Sequence, residues 1–560
     1  MTTSPTRTRP FRKVFCVGLD GATFDVIDPL IAKGKLPALE KLLASGTRAR
    51  LASTVPPLSA PAWVSFMTGT NPGRHGVFHF RAMDEGTLGS SLVGSWAYRG
   101  RTIFDYASRA GLDVMAFRVP MTYPPWPLQG VMVAGFPTPD PRTNYSSPAE
   151  VAERIGPLVK LSPFKAMMAN LDAQIENIDY YLERSTKALV DLAAERDADL
   201  FCYVNSATDW IAHKFWRYSD PRAPGYEPRA TDNGTLLESF YQKVDASLGA
   251  LLDEAADDAL VIVLSDHGTG PRTVKRFNTN AWLEELGLWE RSPRNMGGSA
   301  LKTEVIQWVK KNVPGKTSLK PWLWQKFPPL RSALRSSAQG LRDYGGAMDS
   351  ARSRTYRMSL HDHVEGVNVN LVGREPDGIV EAGDFESTRE QVIEAARSMT
   401  DPATGRRLFD GVHKREELYE GAHAHLAPDV VLILDPEEHE FGTGSGKKGV
   451  FSRVPASHLG HSSATHRPDG ILAMAGPGVR TGELEGIQLI DVPATIMWAL
   501  GLEVPDEMDG RVLTEAFWSE LAESFPIRHG PAATQESEAS AFTAEEEEQM
   551  TAHLRDLGYL

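Results

Sequence analysis

Cysteine is almost missing from this chain. There are two in 560 residues, Cys16 and Cys202, each inside an apolar run (KVFCVGL and DLFCYVN). That excludes a disulfide framework and reads as two small buried thiols. Long hydrophobic runs are missing too. No stretch approaches the roughly 18 apolar residues of a membrane span, so no transmembrane helix is expected. The basic opening MTTSPTRTRPFRK runs into the first apolar segment without a signal-peptide core, and a cytoplasmic location follows as the expectation. Positive charge is in short supply: 59 Lys and Arg stand against 73 Asp and Glu, a net charge of −14. A field of that sign repels polyanions, so nucleic acid is not an expected partner.

What is present is a series of Val/Ile/Leu-rich runs at 13–19, 112–119, 130–135, 198–204, 259–265, 367–372, 429–435 and 470–476. Most are continuous and not alternating, which suits strands buried on both faces of a mainly parallel sheet. Between them, LPALEKLLASG and IDYYLERSTKALVDLAAERD carry helical periodicity, the first closed by Gly46. The predicted fold class is α/β, a three-layer α/β/α sandwich with a helical insertion. Its first core part spans 12–290 and its second 358–525. A Pro/Ser/Ala/Glu-rich linker follows over 526–542, then a helix over 543–560.

The insertion, 291–357, reverses the charge balance, with 14 Lys/Arg against Glu304, Asp343 and Asp349. It carries Trp308, Trp322, Trp324 and Phe327 among helix-breaking prolines. The reading favoured is a helical insertion with solvated charges and core-packed tryptophans. Two sharper readings are a lid that attracts an anionic substrate and a peripheral contact with an anionic membrane surface.

Four short segments end apolar runs with metal-ligating side chains: GLDG at Asp20, SATDWIAH at Asp209 and His213, LSDHG at Asp266 and His267, and ATHRPDG at His466. At the carboxyl ends of parallel strands such residues converge in one crevice. Asp209 and His213, four apart, share a face if their stretch is helical. His458 and His461 compete with His466 for the last position. Ser59, in PPLSAPAW, reads as an N-cap ahead of a helix closed by Gly69. A hydroxyl there feels the positive end of the helix dipole, and a nearby cation would lower its pKa further.

These segments, in this order, resemble the alkaline phosphatase superfamily, and its type I phosphodiesterase/nucleotide pyrophosphatase branch most. Asp20 matches the first metal-ligand Asp, and Ser59 the nucleophile, with Thr68-Gly69 nine residues on. Asp209 and His213, Asp266 and His267, and His466 match the remaining ligands. Weaker similarities run through 71–80, 277–289, 370–380 and 427–435, and LRDLGYL resembles the tails of relatives. The likeness spans about 12–515.

The resemblance implies two divalent metal ions, zinc foremost with manganese or iron as alternatives. Asp209, His213 and His466 would hold one; Asp20, Asp266 and His267 the other, with Ser59 bridging to it. It also implies a small phosphorylated substrate and a phosphoserine intermediate. Where the family commonly has an Asn three residues after the nucleophile, this chain has Ala62. The Cys-x-Pro-x-Arg of sulfatases is missing. The expected activity is phosphodiesterase or nucleotide pyrophosphatase. Phosphomonoesterase or phosphonate hydrolase stands as the alternative, with Arg74 and Arg101 as candidate phosphate clamps. A phosphoryl-group transferase or a non-catalytic metal-binding relative is the alternative of another class.

Overall fold

The computed structural model describes residues 9–83, 90–139, 144–159, 170–292, 348–442, 449–455, 459, 462–533, 541–557 and 559. Most of the basic stretch, with its tryptophans, lies outside the described residues, as do His458, His461 and linker residues 534–540.

Apolar runs build a nine-stranded sheet in the order Gly482–Gln488, Thr47–Ala52, Asp469–Ala475, Ala259–Leu264, Lys13–Leu19, Leu200–Asn205, Val114–Phe117, Gly130–Val133, Ser146–Ser147. The five from Ala259–Leu264 to Gly130–Val133 run parallel to one another. Their residues are almost all buried, as expected of strands covered on both sides. Antiparallel pairs close the sheet: Asp469–Ala475 runs against both its neighbours, and Ser146–Ser147 against Gly130–Val133. Cys16 and Cys202 are register partners on adjacent strands, buried free thiols as anticipated.

The helices pack in two groups. Pro37–Ser45 and Leu171–Glu195 both lie against Leu236–Leu252, while Ser59–Thr68, Ile103–Arg109 and Asp491–Ala499 lie against one another. Together with the sheet they form the α/β/α sandwich. Among the described residues no helix is long and apolar enough to cross a membrane.

Three local readings meet the structure, and two of them change. Gly46 follows Pro37–Ser45 with φ −148°, so it is not a left-handed helix stop. It is glycine because a Cβ there would meet the Met474 carbonyl oxygen at 1.9 Å. Gly69, by contrast, ends its helix with φ +70°, the conformation glycine adopts without strain. The third concerns the runs at 367–372 and 429–435. They belong to a separate antiparallel sheet, ordered Thr355–Ser359, Val364–Val369, Val430–Leu434, Phe409–Lys414. That sheet packs on helix Phe385–Ser398 around its own core of Phe277, Trp282, Val392 and Leu432. Its strand Val430–Leu434, which lies against that helix, shows the same continuous apolar pattern as the main sheet.

Candidate metal centre

Three neighbouring parallel strands deliver the carboxylates. Asp20 directly follows Lys13–Leu19, and Asp266 lies two residues past Ala259–Leu264. Asp209 sits in the first turn of helix Ala207–Phe215, which starts just after Leu200–Asn205. The strands share one polarity, so all three acids reach the same end of the sheet. All are buried. The Gly21 amide donates to Asp266 Oδ1 at 3.2 Å. Gly21 itself has φ +68°, and a Cβ there would stand 3.2 Å from Asp209 Oδ1.

Ser59 is the first residue of helix Ser59–Thr68 and not its cap. Leu58 holds the cap position, and no side chain caps the helix. The Ser59 hydroxyl is therefore turned to the acids, 3.2 Å from His267 Nε2 and 3.5 Å from Asp20 Oδ1. One turn on, the Trp63 indole donates to Asp20 Oδ2 at 3.2 Å.

The imidazoles are oriented from behind. His267 Nδ1 lies 3.0 Å from the Gly268 carbonyl, His466 Nδ1 2.9 Å from that of Pro57, and His213 Nδ1 3.1 Å from that of Ala464 and 2.9 Å from the Ser462 hydroxyl. A carbonyl can only accept, so each Nδ1 donates to it and each Nε2 faces the site. His466 gains its place from strand Ala464–Arg467, where it pairs with Thr269. His213 and Asp209 share a helix face, with Nε2 and Oδ1 3.2 Å apart.

The electrostatics of this cluster are unbalanced. Burial, reinforced by Asp266 and Asp209, raises the Asp20 carboxyl well above the usual range. Burial also pushes Asp266 up to about 7, against the Gly21 amide. Burial would raise Asp209 as well, but His213 and His466 outweigh it and hold it well below the usual range. Burial and the neighbouring His466 drive His267 far down, toward the neutral ligand form.

The residues fit a pair of cations. Asp209 Oδ1 and Asp266 Oδ2 are buried without a hydrogen-bond donor among the described residues. The Nε2 atoms of His213 and His466 face each other at 3.0 Å. Such a contact needs a positive charge between or beside the two nitrogens. Ligand atoms of Asp209, His267 and His466 lie within 4.8 Å of one another, as do those of Asp20, Asp266 and His267. His267 thus stands between two groups, with His213 completing the first. A third group elsewhere, Asp401, Glu438 and His439, already has its cation: Lys275 Nζ lies 3.2 Å from Asp401 and 2.6 Å from Glu438.

Arg74 and Arg101, the candidate clamps, pair with acids of their own. Arg74 Nε donates to Asp509 at 2.6 Å, and Arg101 faces Glu507 at 3.8 Å. Other contributors were not anticipated. Trp63 is one. His361 is another, its ring stacked on His466 with centroids 4.7 Å apart, carried by an HDH triplet that draws no notice in the sequence. The third is Tyr559, whose hydroxyl donates to Asp209 Oδ2 at 2.7 Å across 350 residues of chain.

A mainly parallel sandwich with acids, imidazoles and a serine gathered at its strand ends is the architecture of the alkaline phosphatase superfamily. Within it, the chain belongs to the type I phosphodiesterase / nucleotide pyrophosphatase family, whose model matches residues 14–453. Among solved structures, phosphonoacetate hydrolase from Sinorhizobium meliloti 1021 shares the fold. In its complex with phosphonoacetate the TM-score is 0.51 at 15% identity, covering 88% of this chain and 95% of that one. In its complex with phosphonoformate the TM-score is 0.52, with the same identity and coverage. Murine ectonucleotide pyrophosphatase/phosphodiesterase 5 aligns at a TM-score of 0.45 and 12% identity, over 90% of this chain and 100% of that one. No curated protein matches the sequence.

Proposed function

We propose that the protein is a two-metal hydrolase of phosphate esters, acting on phosphodiesters or nucleotide pyrophosphates through a phosphoserine at Ser59. The observation that carries this reading is the placement of Ser59. Its hydroxyl is buried at a helix start, is not used as a cap, and lies 3.2 Å from His267 Nε2. Family membership supports the choice of diester or pyrophosphate.

Asp209, His213 and His466 would hold one divalent cation, and Asp20, Asp266 and His267 the other. Mixed carboxylate and imidazole donors suit zinc first, then manganese or iron. When bound, such cations lower the pKa of a neighbouring hydroxyl and offset charge on phosphoryl oxygens. The chain's own groups do the rest. The amides at the start of helix Ser59–Thr68 favour an anionic oxygen at Ser59. Ser59 Oγ attacks phosphorus as the bond to the leaving oxygen breaks, and water then cleaves the phosphoserine and regenerates the hydroxyl. The three Nδ1–H···O=C bonds keep the imidazoles from turning while this happens.

The test compares a bis-aryl phosphate with the mono-aryl phosphate of the same leaving group, with zinc or manganese supplied. Faster turnover of the diester is expected. A monoester rate far above the diester rate would overturn the choice of substrate class.

A further inference from the structure

The segment after residue 541 reaches back to the metal centre. Helix Ala544–Leu557 buries Met550 and Leu554, the latter completely. Its first turn is tied down twice: Glu546 accepts from the Tyr123 hydroxyl, and Glu547 faces Arg81 at 3.3 Å. Arg81 also donates to Thr551 at 3.4 Å. Just ahead of the helix, Phe542 stacks on Tyr123 and packs against Trp96, with centroids 5.9 and 4.5 Å apart. Past it, the Tyr559 amide bonds the Leu554 carbonyl at 2.9 Å, the long-range bond of a Schellman-type helix end. That bond turns the chain so that the Tyr559 ring enters between Phe80 and Phe136, with centroids 5.0 and 5.9 Å away. His466 and His213 lie on its other side, at 6.0 and 6.2 Å.

The phenol faces two groups of the site, Ser59 and Asp209. It donates to Asp209 Oδ2 at 2.7 Å, while Asp209 Oδ1 faces His213 Nε2 and His466 Nε2 at 3.2 and 3.5 Å. The two oxygens of one carboxylate are thereby assigned different tasks. We propose that Tyr559 is a positioning residue of the metal centre: its hydroxyl pins Asp209 Oδ2 so that Oδ1 points with His213 and His466 at one cation. The C-terminal segment is in this sense part of the site. This rests on the two-metal reading of Asp209, His213 and His466 given above.

The probe is zinc, with affinity measured by competition against a chromophoric chelator in the full chain. Tyr559→Phe keeps the ring among Phe80 and Phe136 and removes only the hydroxyl. Partners of this kind typically support metal affinity by about 10–100-fold, so a loss of that order is expected. The melting temperature of the metal-free variant should equal that of the metal-free wild type. A chain terminated after Leu557 should lose at least as much affinity. Unchanged zinc affinity in Tyr559→Phe would overturn the proposal. So would a loss of affinity accompanied by a lower metal-free melting temperature, because the hydroxyl would then be serving packing and not the ligand. No substrate enters the measurement. A wild type that binds zinc but hydrolyses no diester sinks the proposed function and leaves this inference to the affinity ratio. A wild type that binds no zinc sinks the two-metal reading itself.

Discussion

The Trp63 indole donates to Asp20 Oδ2 at 3.2 Å, which couples the helix that begins at Ser59 to the carboxylate at the end of the first strand. The same ring lies over Gly18, where an added Cβ would come within 2.5 Å of its Cη2 atom. The strand end, Asp20 and the helix start at Ser59 are thus held by one buried side chain.

Trp63→Phe removes the donor and leaves most of the volume. Turnover should fall about 10–100-fold, the usual effect of losing a partner to a metal ligand. Gly18→Ala should destabilise the protein by about 1–3 kcal/mol through overpacking against the indole. Steady-state kinetics and denaturant unfolding read the two effects separately.

Ser59→Ala should lower diester turnover by at least about a thousandfold while bound zinc stays at the wild-type level. Elemental analysis of the purified variant gives the second quantity. Unchanged turnover would remove the phosphoserine from the mechanism.

Stripping divalent ions with a chelator should abolish activity, and zinc or manganese should restore it. Zinc at a hundred times its dissociation constant should add about 2.7 kcal/mol of stability per site, visible as a rise in melting temperature.

The metal-free protein should show an unusual pH dependence. Burial raises Asp266 to about 7, so the folded state keeps a proton that the unfolded chain releases near pH 4. The stability tied to that proton is fully present below about pH 4 and is lost as pH rises to about 7. Asp20, raised by burial and by its acidic neighbours, acts in the same direction. Asp209, held low by His213 and His466, acts oppositely and at pH values below this window. Denaturant titrations of wild type and Asp266→Asn across pH 4–7 should differ in slope, the Asn variant being flatter. Zinc affinity should rise over the same interval, since binding displaces the protons.

In the second sheet, Glu365 and Arg357 form a buried ion pair, with Thr279 donating to the same carboxylate at 3.0 Å. Glu365→Ala strands the guanidinium and should cost about 3–5 kcal/mol of stability. Chemical denaturation measures it, and metal content should be unaffected.

Much of this was legible in the residues. Continuous apolar runs announce buried strands, and the acids just past two of them, Asp20 and Asp266, are carried to one end of the sheet. Asp209 and His213 declare their shared face by spacing alone. The limits have physical causes. A run such as Val430–Leu434 looks the same whether the main sheet or a smaller one covers it, because burial and not topology sets its composition. The role of Ser59 turns on a one-residue shift between cap and first turn, which propensity does not resolve. Tyr559 lies in the LRDLGYL tail that resembles those of relatives, but nothing in that tail announces a contact with Asp209. Its position depends on a helix docking against Arg81 and Tyr123, more than 400 residues earlier in the chain.

Main-chain carbonyls orient two of the imidazoles, Pro57 that of His466 and Gly268 that of His267, while His213 rests on the Ala464 carbonyl and the Ser462 hydroxyl together. An orienting carboxylate can be erased by changing one codon, but a carbonyl is supplied by whatever residue occupies the position. Asp20 and Asp209, aimed by the Trp63 and Tyr559 side chains, are therefore the vulnerable members of this cluster, while the orientation of His267 and His466 is insured by the fold.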